Sequence, residues 1–186
     1  MMLLLLPCAA RAWSGDDWGA ISRATIQSNA DLMIDSTWTP KNTFTNWQYK
    51  SSAYKTNVYH VYTKGVTYTG VAYSQNNPQE NWLEFYNSVT NTGSGTNYYG
   101  NDCSGFVSIC WRLPARKTTY LFETELGSDW ISLGETNTAA TAPLEIGDAL
   151  NSASDHIVLF LNRETSGIRT MEQTPYHAQR KSREYS

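Results

Sequence analysis

A cysteine at the start of a helix can do chemistry, and Cys103 stands in such a setting, Asp102-Cys103-Ser104-Gly105-Phe106-Val107. The attacking form is the thiolate, and a free thiol, pKa about 8.5, supplies little of it at neutral pH. A helix N-terminus favours the anion, but only by about 0.3–1 kcal/mol when exposed. Larger activation needs an imidazolium beside the sulfur. The chain has three histidines. His60 lies between tyrosines in a strand-like run, and His177 follows Pro175 in a polar stretch. His156 opens the apolar run His156-Ile157-Val158-Leu159-Phe160-Leu161-Asn162, directly after the turn-like Asn151-Ser152-Ala153-Ser154-Asp155. A strand start at the lip of a sheet is a place where a helix N-terminus can meet it. A strand histidine is usually structural, and the pairing with a helix-start cysteine is what makes His156 the candidate base.

A base needs a group that orients it. Thr170-Met171-Glu172-Gln173 lies in the following strand. Side chains alternate across a strand, so only one of Glu172 and Gln173 can face His156. With Met171 in the core, Glu172 takes the opposite face, where a carboxylate would fix the tautomer and favour the imidazolium. A solvent-facing glutamate fits the spacing almost equally well.

The elements around these residues follow from pattern. Asp102 is a good N-cap. A helix is expected over 103–113, closed by Pro114, with Cys103, Phe106, Cys110 and Leu113 on one face and Val107 beside them. Cys103 and Cys110 would then sit two turns apart, about 10 Å along the axis, too far for a disulfide. One thiol should be reactive and the other core. Leu144-Glu145-Ile146-Gly147-Asp148 reads as a turn into a strand at Ala149, and strands are expected over 156–162 and 168–174. Upstream, 16–34 has an imperfect amphipathic helical face, and Pro40 ends any continuation. The stretch 38–54 reads as a surface connection, 58–73 as extended structure or a hairpin, and 91–101 as a polar loop. Arg180, Lys181 and Arg183 read as a solvated tail.

The 186 residues suit one domain. Charged residues are 17% and aromatics 13%, with 7 Trp and 12 Tyr, and the net charge is −3. That balance suits peptide or sugar ligands and offers no basic footprint for nucleic acid. The start, Met1-Met2-Leu3-Leu4-Leu5-Leu6-Pro7-Cys8-Ala9-Ala10-Arg11-Ala12, resembles the end of a secretory signal peptide and is too short for a membrane-spanning helix. Residues 1–12 are therefore expected to be a signal remnant, and 13–186 one domain. No close Cys/His spacing suggests a metal, and Gly93-Ser94-Gly95 lacks the lysine and helix of a phosphate loop. No cofactor is expected.

Asp102-Cys103-Ser104-Gly105-Phe106-Val107, continued by Ile109-Cys110-Trp111, resembles the signature of the NlpC family of papain-like cell-wall cysteine peptidases. A second block follows in order, Ile146-Gly147-Asp148-Ala149-Leu150 and then His156-Ile157-Val158-Leu159-Phe160-Leu161. Gly70-Val71-Ala72-Tyr73 resembles the family's Gly-x-Pro-Tyr, with Ala72 in place of proline. The resemblance implies an α+β, papain-like fold with the nucleophile at a helix N-terminus packed on an antiparallel sheet. The family usually adds further sheet after position 172, so the sheet is expected to be short at its C-terminal end. It implies a catalytic Cys103, His156 and Glu172, although the family's third residue is usually His, Asn or Gln. Tyr73 would line the site and help stabilise the oxyanion, and Ser104 and Asp102 would contact substrate. The implied substrate is the peptidoglycan stem peptide, cut at the γ-D-glutamyl–diamino acid bond or at the L-alanyl–D-glutamate bond by a secreted or wall-associated monomer. Two other expectations remain: a non-catalytic wall-binding module using the aromatic-rich 38–82, and a transglutaminase-like acyltransferase.

Overall fold

The computed structural model describes residues 2–7, 21–49, 57–75, 100–127, 130–136 and 143–184. In chain order the elements are β1 (Met2–Pro7), α1 (Arg23–Asp35), β2 (Thr37–Trp38), β3 (Phe44–Tyr49), β4 (Asn57–Tyr62) and β5 (Tyr68–Thr69). They continue with α2 (Cys103–Cys110), α3 (Thr119–Thr124), β6 (Trp130–Thr136), β7 (Ala149–Ser152), β8 (His156–Arg163), β9 (Gly167–Gln173) and β10 (Ala178–Glu184). Six strands form one sheet in the order β10-β9-β8-β7-β1-β6, antiparallel at every step. Two small sheets pair β2 with β5 and β3 with β4. The protein is of the α+β class.

The layers follow from where the apolar residues fall. Helix α1 buries Ile26, Ala30, Met33 and Ile34, a helical stripe, and is capped by Ser22, whose hydroxyl accepts from Thr25 N–H. It packs on α2, which lies against β8 and β9. Phe106, Val107 and Cys110 of α2 meet Ile157 and Leu159 of β8 and Met171 of β9 in one core. Strand β8 carries its apolar side chains on both faces, since Val158 and Phe160 pack into a second cluster with Leu150, Leu144 and Ile168. This explains why its sequence is continuously apolar rather than alternating.

Met2–Pro7, within the expected signal remnant, forms a strand paired on both sides, with Leu4 opposite Leu150 of β7 and Leu6 opposite Ile131 of β6. An interior strand and a leader's core share the same unbroken apolar composition. Residues 8–12 lie outside the described residues. Other expectations change. The solvated tail is strand β10, paired with β9 from Ala178↔Gln173 to Glu184↔Gly167, so the sheet does extend past position 172. Its polar sequence is that of an edge strand with one side in water. Within 38–54, read as a connection, Phe44–Tyr49 is a strand, and its partner is β4. The single run 58–73 therefore divides into β4 and β5, which belong to different sheets. Helix α1 starts at Arg23; residues 16–20 of the expected helix, most of the polar loop 91–101 and the Gly93-Ser94-Gly95 run lie outside the described residues.

Two glycines set the positions of the candidate residues. Gly100 has φ +137°, and a Cβ there would overlap the Ala72 carbonyl. This close approach lets Asn101 N–H donate to Ala72 O at 3.0 Å and Ser74 N–H to Asn101 O at 3.0 Å, bringing Tyr73 alongside the start of α2. Gly147 has φ +86° in the turn before β7, with a Cβ 3.1 Å from Ile26 Cγ2. Gly100→Ala should lower the free energy of unfolding by about 2 kcal/mol or more, because both strain and overlap oppose it. Urea denaturation of the variant beside wild type measures this.

Candidate active site

Helix α2 begins at Asp102, whose extended backbone and side chain form the cap. Asp102 Oδ1 accepts from Gly105 N–H at 2.7 Å and from Ser104 Oγ–H at 3.0 Å. A Cβ on Gly105 would lie 2.9 Å from Asn101 Oδ1 and 3.2 Å from Asp102 Oδ1, so the cap closes this tightly because position 105 is glycine. The cap aims the first turn at a cleft of about 380 Å³ and places Cys103 in it, half-buried. Cys110 is fully buried, and burial pushes its thiol well up. Neither cysteine is in a disulfide. One thiol faces the cleft and the other lies in the core, as the spacing predicts.

Across the cleft stands His156, the first residue of β8, its side chain 31% exposed. It is delivered by a turn in which Asp155 N–H donates to Ser152 O at 3.0 Å and Ser154 takes φ +61°. Thr119 of α3 anchors this turn, its hydroxyl accepting from Ser154 N–H at 3.0 Å and its carbonyl from Asn151 Nδ2 at 2.9 Å. His156 lines the same cleft as Cys103, whose side chain is among the influences that raise it. Its Nε2 faces Glu172 Oε2 at 2.8 Å. Of the two candidates it is Glu172 that faces His156, and it is buried, not solvent-facing. Gln173 also borders the cleft, but its Nε2 is spent on Val71 O at 3.0 Å.

The electrostatics favour a charged imidazole. Burial opposes the imidazolium, yet the bonds to Cys103 and Glu172 outweigh it and hold His156 up at about 9. Burial likewise opposes the Glu172 carboxylate, and the bonds from His156, Arg183 and Thr170 outweigh that and hold it down at about 2. The raised histidine stabilises the fold fully below its ordinary 6.5, and that contribution is lost as pH rises through about 9. The lowered carboxylate stabilises above its ordinary 4.5, and its contribution is lost as pH falls through about 2. Unfolding midpoints in urea should therefore fall from pH 6.5 to 9.5 in wild type, and this part of the slope should vanish in His156→Asn.

Tyr73 is buried at the cleft edge, and burial together with the Cys103 and Asp102 charges pushes its phenol far up. It stays protonated. Gln75 lies beside its oxygen and opposes that rise. Ser104 is buried and hydrogen bonds to Asp102 rather than standing free. The structure thus brings all six residues singled out from the sequence, Cys103, His156, Glu172, Tyr73, Ser104 and Asp102, to one place.

Sequence reasoning missed Arg116. It pairs with Asp102 Oδ2, reaches Ser104 Oγ at 3.3 Å and lines the cleft. Its loop is tied to α2 through Ser108, whose hydroxyl donates to Ser104 O at 2.7 Å and accepts from Lys117 N–H at 3.0 Å. Ser108 and Arg116 both follow Cys103 within 13 residues, but nothing local marks an arginine after a proline as folding back. Thr170 and Arg183, both on Glu172, were also missed.

Among the described residues no group of His, Cys, Asp or Glu is arranged to hold a metal ion, and no helix is long and apolar enough to cross a membrane. No family model, curated protein or solved structure matches the chain.

Proposed function

We propose that the protein is a thiol hydrolase of the acyl-enzyme type, with a papain-like arrangement of helix, sheet and catalytic pair. The observation that carries the reading is that Cys103 and His156 line one cleft, with Glu172 Oε2 2.8 Å from His156 Nε2 and the sulfur at a helix N-terminus. More particularly, we read it as a secreted or wall-associated cysteine peptidase cutting peptidoglycan stem peptides at the γ-D-glutamyl–diamino acid bond. That step rests on the resemblance of the Asp102–Val107, Ile146–Leu150 and His156–Leu161 runs to NlpC-type enzymes. Secretion as read from residues 1–12 has a structural consequence: cleavage after Ala12 would remove β1 from between β6 and β7.

In this mechanism His156 holds the Cys103 thiol proton as an ion pair, and the sulfur attacks the peptide carbonyl. The backbone N–H of Cys103, a first-turn donor without an intrahelical partner, and the hydroxyl of Tyr73, which lines the same cleft, would donate to the oxygen that gains charge. The C–N bond breaks as His156 gives its proton to the departing amine. The thioester left on Cys103 is then hydrolysed by a water from which His156 takes a proton, and the thiol and acid are released. Glu172 keeps the imidazole aimed throughout. Because the amine leaves only when His156 is charged, kcat/KM should fall as pH rises through about 9. A pH–rate profile on a soluble stem-peptide substrate reads this directly.

One observation favours a second reading, a wall-binding module. A separate aromatic groove of about 410 Å³ is lined by Trp38, His60, Tyr62, Tyr68 and Tyr176. Trp38 and Tyr68 stack at 5.0 Å, and Tyr176 is 66% exposed. A binding module predicts sedimentation with purified sacculi that persists in Cys103→Ala, with no fragments released by wild type.

A further inference from the structure

Strand β10 contributes one side chain to the charge chain that the hydrolase reading does not use. Arg183 grips Glu172 in a fork, Nε to Oε1 at 3.1 Å and Nη2 to Oε2 at 2.6 Å. Oε2 is the same oxygen that faces His156 Nε2 at 2.8 Å. Thr170 Oγ1–H donates to Oε1 at 2.9 Å, so the buried carboxylate is held from three directions. Resting on the reading of Cys103–His156–Glu172 as a catalytic chain, we propose that Arg183 is a positioning residue that divides the Glu172 carboxylate between itself and the imidazole. It thereby sets how firmly His156 keeps its proton.

The physical need is specific to a glutamate in this place. A neutral amide would orient the imidazole without adding charge, whereas a buried carboxylate both orients it and binds its proton strongly. An imidazolium held too firmly is a poor acid for the leaving amine. A guanidinium forked onto the same carboxylate withdraws part of that charge and keeps Oε2 aimed. The other titratable or charged groups around the pair are Cys103 on α2, Asp155 in the turn, and Asp102, Arg116 and Tyr73 in the cleft. On β10, Lys181 stands opposite Thr170 and is exposed. Among the described residues, Arg183 and Thr170 share the carboxylate with His156.

The test is the NMR titration of the His156 ring, which needs no substrate. In Arg183→Gln, which keeps a hydrogen-bond donor and removes the charge, the midpoint should rise by about one pH unit, a tenfold tighter hold on the proton. Arg183→Lys, which keeps the charge, should titrate as wild type. On a stem-peptide substrate, kcat of Arg183→Gln should fall roughly tenfold at neutral pH with KM little changed. If Arg183→Gln does not fold, the wild-type Arg183 Nε resonance provides the test, since it should shift with the His156 midpoint. An unmoved midpoint in folded Arg183→Gln, or an Arg183 resonance blind to His156, would overturn the proposal. A moved midpoint in a protein that releases no peptide would leave the tuning intact and remove the hydrolase reading instead.

Discussion

His156→Ala should lower kcat/KM on a stem-peptide substrate by about 10³–10⁴-fold, and should slow alkylation of Cys103 by iodoacetamide at neutral pH by about tenfold or more. Both losses have one origin. His156 is the one histidine among the described residues that line the cleft with Cys103. The helix N-terminus remains in the variant, and its contribution of at most about 1 kcal/mol explains why some reactivity should survive. Cys110 serves as an internal reference, since it is fully buried with its thiol pushed well up. Peptide mapping after brief labelling should find the reagent on Cys103 before Cys110 in wild type. Comparable labelling of the two sites would count against activation.

Glu172→Gln should have the second largest effect. The amide preserves shape and can still accept from the ring, but it removes the charge that supports the imidazolium. The His156 midpoint should drop from about 9 toward its ordinary 6.5, and the alkaline limb of the pH–rate profile should move down with it. At neutral pH kcat/KM should fall by about 10²-fold, because fewer molecules hold the ion pair. Stability should also fall, by about 1–3 kcal/mol, since the Arg183 fork and the Thr170 hydroxyl lose a charged acceptor. The half-exposed position of Arg183 places the expected loss at the lower end of that range. A pH–rate profile that keeps its wild-type alkaline limb in Glu172→Gln would remove Glu172 from the chain.

The candidate site was more legible than the sheet that carries it. Cys103 and His156 could be read because each sits at the first residue of a strongly patterned element, one after a capping aspartate and one after a turn. Glu172 followed from strand alternation once Met171 was assigned to the core, and its burial removes the solvent-facing alternative. Tyr73 was suggested only by the weak Gly70–Tyr73 match. What fixes it beside Cys103 is the close backbone approach at Gly100, which no local pattern announces.

The edges of the fold were opaque for two opposite reasons. Strand β1 is paired on both sides, and its uniformly apolar sequence suits an interior strand and a leader's core alike, so composition did not reveal a strand. Strand β10 is an edge strand, so Gln179-Arg180-Lys181-Ser182-Arg183 reads as a solvated tail. The charges of that tail are not idle. Arg180 pairs with Asp31 and Asp35 of α1, holding the Asp35 carboxyl below its usual range, and Arg183 pairs with Glu172. Each partner is more than ten residues away in sequence, and pairs of that kind are fixed by the assembled sheet rather than by local pattern.

Digestion of purified peptidoglycan, followed by mass spectrometry of the soluble fragments, tests the central claim most directly. Wild type should release soluble peptides that begin at the diamino acid, leaving L-alanyl–D-glutamate on the glycan, and Cys103→Ala should release none. Wild type and Cys103→Ala giving the same fragments, or wild type giving no new fragment, would contradict the assignment of Cys103 as the nucleophile of a wall peptidase.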